Sequence, residues 1–411
     1  MNAPRVVITG VGLTSPIGHS LPDVTEALRD GRSGIRAVPQ WGEIGQLGRL
    51  VAGPVEGIEL KGRWPRKKSR TFGRVAALAV VASEAAVEDA GLALADLQTE
   101  NVGLAYGSTH GSSAAQEEFC RTLFTNNSLA KIPSSAYLKF MSHTCAANLA
   151  LFFGIRGRVL STSAACVSGS QAIGAGFESI RSGAVDMMIC GGAEELHFMH
   201  AGVFDMLYAA STKHNDEPEL TPRPYDRDRD GLVVAEGAGT VILESLEHAQ
   251  ARGATIHAEI IGYGTSCDGT HLTFPSVDGM SRALALAMRS AKVSPNEIDY
   301  INGHGTATKA GDICESAATL DTIGDQTPIS STKGQTGHTL GACGAIEVGY
   351  CLAMMKAGFI APTRNLEVVD PECRDIDYVM GEIRETTLET VMTNNFAFGG
   401  INTSIILRRM A

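Results

Sequence analysis

Charge and long apolar runs are both scarce in this sequence. Charged residues make up 19% of the 411 positions and hydrophobic residues 44%, the balance of a compact folded chain and not of a disordered one. No stretch approaches the ~20 consecutive apolar residues of a membrane-crossing helix. The first five residues run straight into Val6-Val7-Ile8-Thr9 without the apolar region of a signal peptide, so a cytoplasmic protein is expected. Paired cysteine spacings are also missing. The nine cysteines contain no CxxC, and an odd number fits reduced thiols better than a disulfide framework. With the 11 histidines scattered, no metal site is expected.

Positive charge is in deficit: 34 Lys and Arg against 45 Asp and Glu, a net −11. That opposes general nucleic-acid affinity. Against this background one basic run stands out, formed by Lys61, Arg63, Arg66, Lys67, Lys68, Arg70 and Arg74. It reads either as a solvated loop or as a docking patch for an acidic partner. Nucleotide signatures are incomplete. Gly10-Val11-Gly12 lacks the third glycine and the later acidic residue of a dinucleotide fingerprint, and Thr332-Lys333-Gly334 lacks the glycine-rich turn that should precede it.

What is present is an alternation of strand-like and helix-like segments, which predicts an α/β architecture with buried strands. Strands are predicted at 5–9, 102–106, 185–190, 240–244, 256–263, 300–302, 329–331, 391–395 and 403–407. Helices are predicted at 69–90, 169–182, 281–290 and 344–357. The sequence also echoes itself. The run from Val6 through Gly10 and Gly12 to Ser15 resembles the run from Glu259 through Gly262 and Gly264 to Ser266. A duplicated unit, 1–253 followed by 254–411, accounts for the echo.

Several residues are placed to do chemistry. Cys166, in Ser163-Ala164-Ala165-Cys166-Val167-Ser168-Gly169, precedes a predicted helix. A helix N-terminus favours a thiolate, and the small neighbours leave room for a substrate; the alternative is an inert buried thiol. His304 and His338 each sit in a Gly/Thr-rich loop at a strand end, where α/β proteins place their sites. Phe396 and Phe398 occupy the Gly-rich turn Phe396-Ala397-Phe398-Gly399-Gly400, either as core anchors or as a gate facing a substrate. A thiol, two imidazoles and a loop of backbone donors are the parts needed for thioester exchange followed by decarboxylation.

In this order and at these intervals, the motifs resemble the elongating β-ketoacyl-acyl carrier protein synthases, over essentially the whole chain. The run from Thr221 to Asp226, Arg229-Asp230-Gly231, Glu236-Gly237-Ala238-Gly239, Gly303-His304-Gly305-Thr306-Ala307-Thr308 and Thr336-Gly337-His338 carry the likeness. The resemblance implies a duplicated thiolase-type five-layered α/β/α/β/α sandwich, homodimeric or paired with a chain-length factor. It makes Cys166 the nucleophile and His304 with His338 the pair that promotes malonyl decarboxylation. Lys333 supports them, and Glu347 stands behind. The N–H groups of Cys166 and Phe398 would form the oxyanion hole, with Phe398 the acyl gate and Phe396 substrate-facing. Thr306 and Thr308 would bind the phosphopantetheine arm, which arrives on the acyl carrier protein, so no bound cofactor is expected. Arg66, Lys67, Arg70 and Lys213 would meet that acidic carrier.

Departures from the family pattern are Gly334-Gln335 after Lys333, Lys309 after Thr308, and His110 at a position expected to be apolar at the floor of the acyl pocket. His110 raises the expectation of a specialised pathway, such as aryl-polyene assembly. Rival readings fit less well. A degradative thiolase needs a second cysteine in the final glycine-rich loop, and none follows Cys373. An initiating synthase has asparagine where His338 stands, and a silent chain-length subunit lacks the cysteine.

Overall fold

The computed structural model describes residues 3–410. Ten strands join in one mixed sheet, which resolves into two sets of five with identical wiring. The first set, outward from the centre, is Val6–Thr14, Gly237–Ser245, Met187–Glu194, Val102–Gly107 and Val159–Thr162. The second is Ala258–Cys267, Ile401–Arg408, Thr390–Ala397, Tyr300–Asn302 and Ile329–Ser330. Numbered along the chain within each set, both follow the order 1-5-4-2-3. In both, the first two pairings are antiparallel and the last two parallel. The sets meet where Val6, Val7 and Ile8 pair with Ile260, Glu259 and Ala258. The division expected at 253/254 falls just beyond the helix Leu246–Ala251, in the connection between the two sets.

Helices fill the layers around these sets. Arg74–Asp89 covers the outer side of the first set and Val277–Ala291 that of the second, while Ser168–Arg181 and Cys343–Ala357 touch strands of both sets and each other. The result is the five-layered sandwich that the family resemblance implied. Cys343–Ala357 is buried from Cys343 to Met355, as a helix between two sheets must be, since it has no solvent-facing side to make polar. The stretch Leu340–Ala357 is also the one helical stretch among the described residues long and apolar enough to cross a membrane. With 89% of it buried inside the protein, it is a core helix.

The glycines of the internal echo now have a structural reason. A Cβ on Gly10 or Gly12 would stand 2.2 Å from the Ala86 carbonyl oxygen or 1.9 Å from that of Ala82. On Gly262 or Gly264 it would stand 2.5 Å from the Ala287 oxygen or 2.2 Å from that of Ala283. Both pairs therefore let a covering helix lie directly on the first strand of its set. They serve packing, in the same way twice.

Some boundaries differ from expectation. The helix predicted from 69 begins at Arg74 after a separate turn at Arg66–Ser69. Between them Gly73 is extended, and a Cβ there would come within 2.3 Å of the Ser112 Cβ. The strand Val159–Thr162 and the helices Ser113–Asn126, Thr144–Phe153 and Lys309–Thr322 were not predicted. The strand is short and half-exposed, and the helix Ser113–Asn126 buries only Ser113, so neither carries a strong apolar pattern.

Candidate active site

Cys166 sits at the apex of a tight turn between the strand Val159–Thr162 and the helix Ser168–Arg181. The turn is built from small residues because it has to be. Ala165 adopts φ +46°, and the Ser168 hydroxyl accepts from Ala164 N–H at 2.9 Å while donating to the Ala165 carbonyl at 2.7 Å. Only 7% of Cys166 is exposed. Burial pushes its thiol up to about 12, against the pull of the Lys333 charge and of the N–H groups of Cys166 and Phe398. The helix terminus expected to favour a thiolate is thus outweighed by desolvation. At rest the sulfur is a thiol, and a base must take its proton.

An imidazole able to accept it is within hydrogen-bond reach. His338 Nε2 lies 2.9 Å from Cys166 Sγ, and the His304 ring stands edge-on to His338 with centroids 5.2 Å apart. Both imidazoles are buried and held well below the usual histidine range, first by burial and then by the Lys333 charge. They are therefore neutral. Sγ and one nitrogen from each ring lie within 4.8 Å of one another, a donor set that could suit zinc. A thiolate and an imidazole sharing a tetrahedral zinc would, however, stand ~3.5 Å apart. The 2.9 Å contact is a hydrogen bond.

Lys333 is buried and paired with Glu347, whose other oxygen accepts from Asn395 Nδ2 at 2.7 Å. Burial disfavours the ammonium, but Glu347 outweighs it and holds Lys333 above its usual range. The charge that depresses both histidines is thus permanent. Asn395 also donates to Cys343 Sγ, which in turn contacts the Cys166 carbonyl at 3.1 Å.

The His304 loop is held from behind by two buried carboxylates on the helix Lys309–Thr322. Glu315 accepts from the His304 and Gly305 N–H groups, both at 2.6 Å, and from the Tyr225 hydroxyl at 3.0 Å. Asp312 accepts from Thr306 N–H at 3.1 Å and Tyr225 N–H at 2.7 Å. Burial raises Asp312 to about 6 and Glu315 to about 7. Beyond the cysteine turn, Glu194 accepts from Thr109 N–H at 2.9 Å and Gly341 N–H at 3.2 Å. Sequence reasoning missed Glu315, Glu194, Tyr225 and Asn395 as working residues. Tyr225, Asp312 and Asn395 stood in or beside the motifs of the sequence, without a role.

A cavity of about 360 Å³ opens over Cys166 and is lined by His304, His338, Thr306, Thr308, Phe396 and Phe398 among others. The Thr306 and Thr308 hydroxyls are 2.9 Å apart. Phe398 stacks on Phe204 with centroids 5.5 Å apart, ahead of Gly399 and Gly400 at φ +89° and +67°, values that favour glycine.

Other expected residues lie elsewhere. His110 does not line this cavity: it is half-buried, with its ring bonded to Gln116 and close to His200. Arg66, Lys67, Arg70 and Lys213 are exposed and line no part of the cavity. Within the basic run, Arg74 is tied to Glu236, and Lys68 lies 4.7 Å over the Phe152 ring.

Comparison with known proteins finds similar chains over almost the whole length. Residues 3–249 match the family model described as the beta-ketoacyl synthase N-terminal domain, and residues 257–367 match that of the C-terminal domain. The chain is 40% identical to the 3-oxoacyl-[acyl-carrier-protein] synthase 1 of Haemophilus influenzae, covering 98% of this chain and 99% of that protein. A crystal structure of a beta-ketoacyl synthase from Burkholderia phymatum superposes with a TM-score of 0.96 at 49% identity, covering 99% of this chain and all of that one. The ishigamide ketosynthase/chain length factor does so at 0.93 and 35% identity, covering both chains fully.

Proposed function

Because the chain belongs to the β-ketoacyl synthase family, we propose that it condenses an acyl group held on Cys166 with malonyl-acyl carrier protein, with loss of CO₂. The chain grows by two carbons. One observation supports this above the others: a buried thiol 2.9 Å from a neutral imidazole, with a second neutral imidazole facing the same cavity.

In the first half-reaction Sγ attacks the thioester carbonyl of the acyl carrier substrate while its proton passes to His338. The N–H groups of Cys166 and Phe398 receive the oxyanion. As the tetrahedral intermediate collapses, the pantetheine thiol leaves with that proton. In the second, malonyl thioester enters and loses CO₂, and His304 and His338 donate to the enolate oxygen. The new carbanion attacks the Cys166 thioester carbonyl. Breaking the carbon–sulfur bond frees Sγ as a thiolate, which takes up a proton from water by way of His338 to restore the thiol, and the β-ketoacyl thioester leaves on the carrier. Neutral imidazoles suit both halves, since each has one N–H to give and one lone pair to accept.

In this reading Thr306 and Thr308 bind the arm, and Phe396 and Phe398 face the acyl chain. The enzyme holds no cofactor and works in the cytoplasm. Residues 1–253 and 254–411 are the two units of the duplication. Support for a paired subunit, either a second copy or a chain-length factor, comes from the free edge strand Val159–Thr162 and the exposed Leu151 beside it. The deciding experiment is intact-mass spectrometry after incubation with acyl carrier thioester. Wild type should gain the acyl mass, and Cys166→Ala should not. An equal gain by Cys166→Ala would sink the assignment.

A specialised, aryl-polyene-like pathway is the second reading, supported by the likeness to the ishigamide ketosynthase/chain length factor and by the polar His110, which lies beside Gln116 and His200 outside the cavity over Cys166. A His110→Ile enzyme should shift its preference towards saturated primers, and an unchanged preference would refute this reading.

A further inference from the structure

A second thiol touches the turn that carries Cys166. Cys343 is the first residue of the helix Cys343–Ala357, and its Sγ lies 3.1 Å from the Cys166 carbonyl oxygen. The starts of the two central helices must abut closely for this contact to form, and their glycines allow it. A Cβ on Gly169 would stand 3.0 Å from the Gly341 carbonyl oxygen, and one on Gly344 would stand 2.8 Å from the Ser170 Cβ.

What surrounds the sulfur sets the direction of the contact. Asn395 Nδ2 donates to Cys343 Sγ at 3.5 Å and to Glu347 Oε2 at 2.7 Å. The sulfur thus accepts on that side and donates its hydrogen to Cys166. Burial, and then the charge of Glu347, hold Cys343 well above the usual thiol range, so that hydrogen stays in place. The other carbonyls of the turn are used locally: those of Ala164, Ala165 and Val167 accept from the N–H groups of Val167, Ser168 and Gln171 at 3.2, 3.1 and 2.8 Å. The Cys166 carbonyl, in their midst, accepts from across the helix interface instead. The Ser168 hydroxyl therefore holds the peptide plane before Cys166, through the Ala165 carbonyl at 2.7 Å, and the Cys343 thiol holds the plane after it. Two fixed planes leave the Cα–Cβ bond between them one direction, and that direction carries Sγ to His338.

We infer that Cys343 is a positioning residue for the nucleophile, whose thiol holds the peptide after Cys166 and so keeps Sγ against the His338 imidazole. The inference deepens the reading above, on which Cys166 takes up the acyl group. It also gives the buried Lys333–Glu347 pair a route to the nucleophile by contact as well as by charge. Contacts run from Lys333 to Glu347, Asn395, Cys343 and the Cys166 carbonyl without a break. A thiol is a weak donor, so this contact trims the geometry of the turn. Its loss leaves a buried carbonyl short of a partner and costs a modest factor in rate, while the site itself remains.

Alkylation of Cys166 by iodoacetamide, followed at that residue by peptide mass spectrometry, reads the nucleophile without any carrier. Cys343→Ala should slow it about fivefold. Cys343→Ser keeps a donor and should react about twice as fast as Cys343→Ala or faster. In single-turnover acylation by acyl-carrier protein the same order should appear in the limiting rate. The half-saturating concentration should not change, because Cys343 lies behind the nucleophile and lines no part of the cavity. Cys351→Ala removes another buried thiol about two turns along the same helix and should match wild type in both assays. A Cys343→Ala enzyme at the wild-type rate overturns the inference. So does Cys343→Ser no faster than Cys343→Ala. Equal slowing in Cys351→Ala overturns it too, since the loss would then be one of packing. If wild type took no acyl group from carrier protein while the alkylation order held, the synthase reading would fail and the positioning role would stand.

Discussion

Cys166 Sγ and His338 Nε2 are 2.9 Å apart although 172 residues separate them in the chain. The duplication brings them together. Cys166 immediately precedes Ser168–Arg181, and His338 precedes Cys343–Ala357, the helix at the same place in the second unit. These two helices lie side by side in the central layer, so the turns leading into them converge.

This pairing separates the two histidines by function. His338→Ala should slow acylation of Cys166 by about 10²–10⁴-fold, the usual range for a lost proton acceptor. His304→Ala should spare acylation and slow CO₂ release from malonyl-carrier protein. Single-turnover acylation and CO₂ release, measured separately, check this, and equal effects of both changes on both steps would contradict it.

The Lys333–Glu347 pair is buried on both sides, so removing one partner strands a charge. Glu347→Leu should lower the free energy of unfolding by about 3–5 kcal/mol. The double change Lys333→Met/Glu347→Leu should be distinctly less destabilising yet remain impaired, because the charge that favours the Cys166 thiolate against its burial is gone. Urea denaturation of the three proteins decides the matter.

Glu315, raised by burial to about 7, holds the His304 loop through two N–H groups. Below that pH it gains a proton and weakens as an acceptor, so kcat/KM should fall as pH drops through about 7. The histidines titrate far lower and do not produce this limb. Glu315→Gln should be slower throughout and should lose the limb near 7; an unchanged limb in that variant would assign it elsewhere.

His200 is pushed down to about 4 by burial first, with His197 and His110 nearby adding to the effect. Its folded value lies below the unfolded one, so the unfolded chain binds the proton more readily. Stability should be full above the ordinary 6.5 and decline as pH falls towards about 4, by up to ~3 kcal/mol. In His200→Gln that part of the decline should disappear, as read by thermal unfolding across this pH range.

Much of this protein is legible in its sequence. The nine predicted strands all exist, and the repeated Gly-x-Gly runs announce the duplication. The glycine-flanked His304 and His338 and the small-residue run around Cys166 mark the groups that the proposed chemistry uses, because loops that must place a reactive group close to a substrate tolerate little else. The edge strand Val159–Thr162 and the polar-faced helix Ser113–Asn126 escaped notice, since neither buries enough apolar surface to leave a periodic signal.

Local sequence determined the elements, the turn chemistry and the identity of the proposed reacting groups, for these depend on residues adjacent in the chain. Only the tertiary structure decided the rest. It placed Glu315 under the His304 loop, set Lys333 against Glu347, raised the Cys166 thiol by burial, and lined the mouth with Leu207, Tyr208 and Phe274. Burial, charge pairing and shared surfaces arise between distant segments, and no local pattern records them.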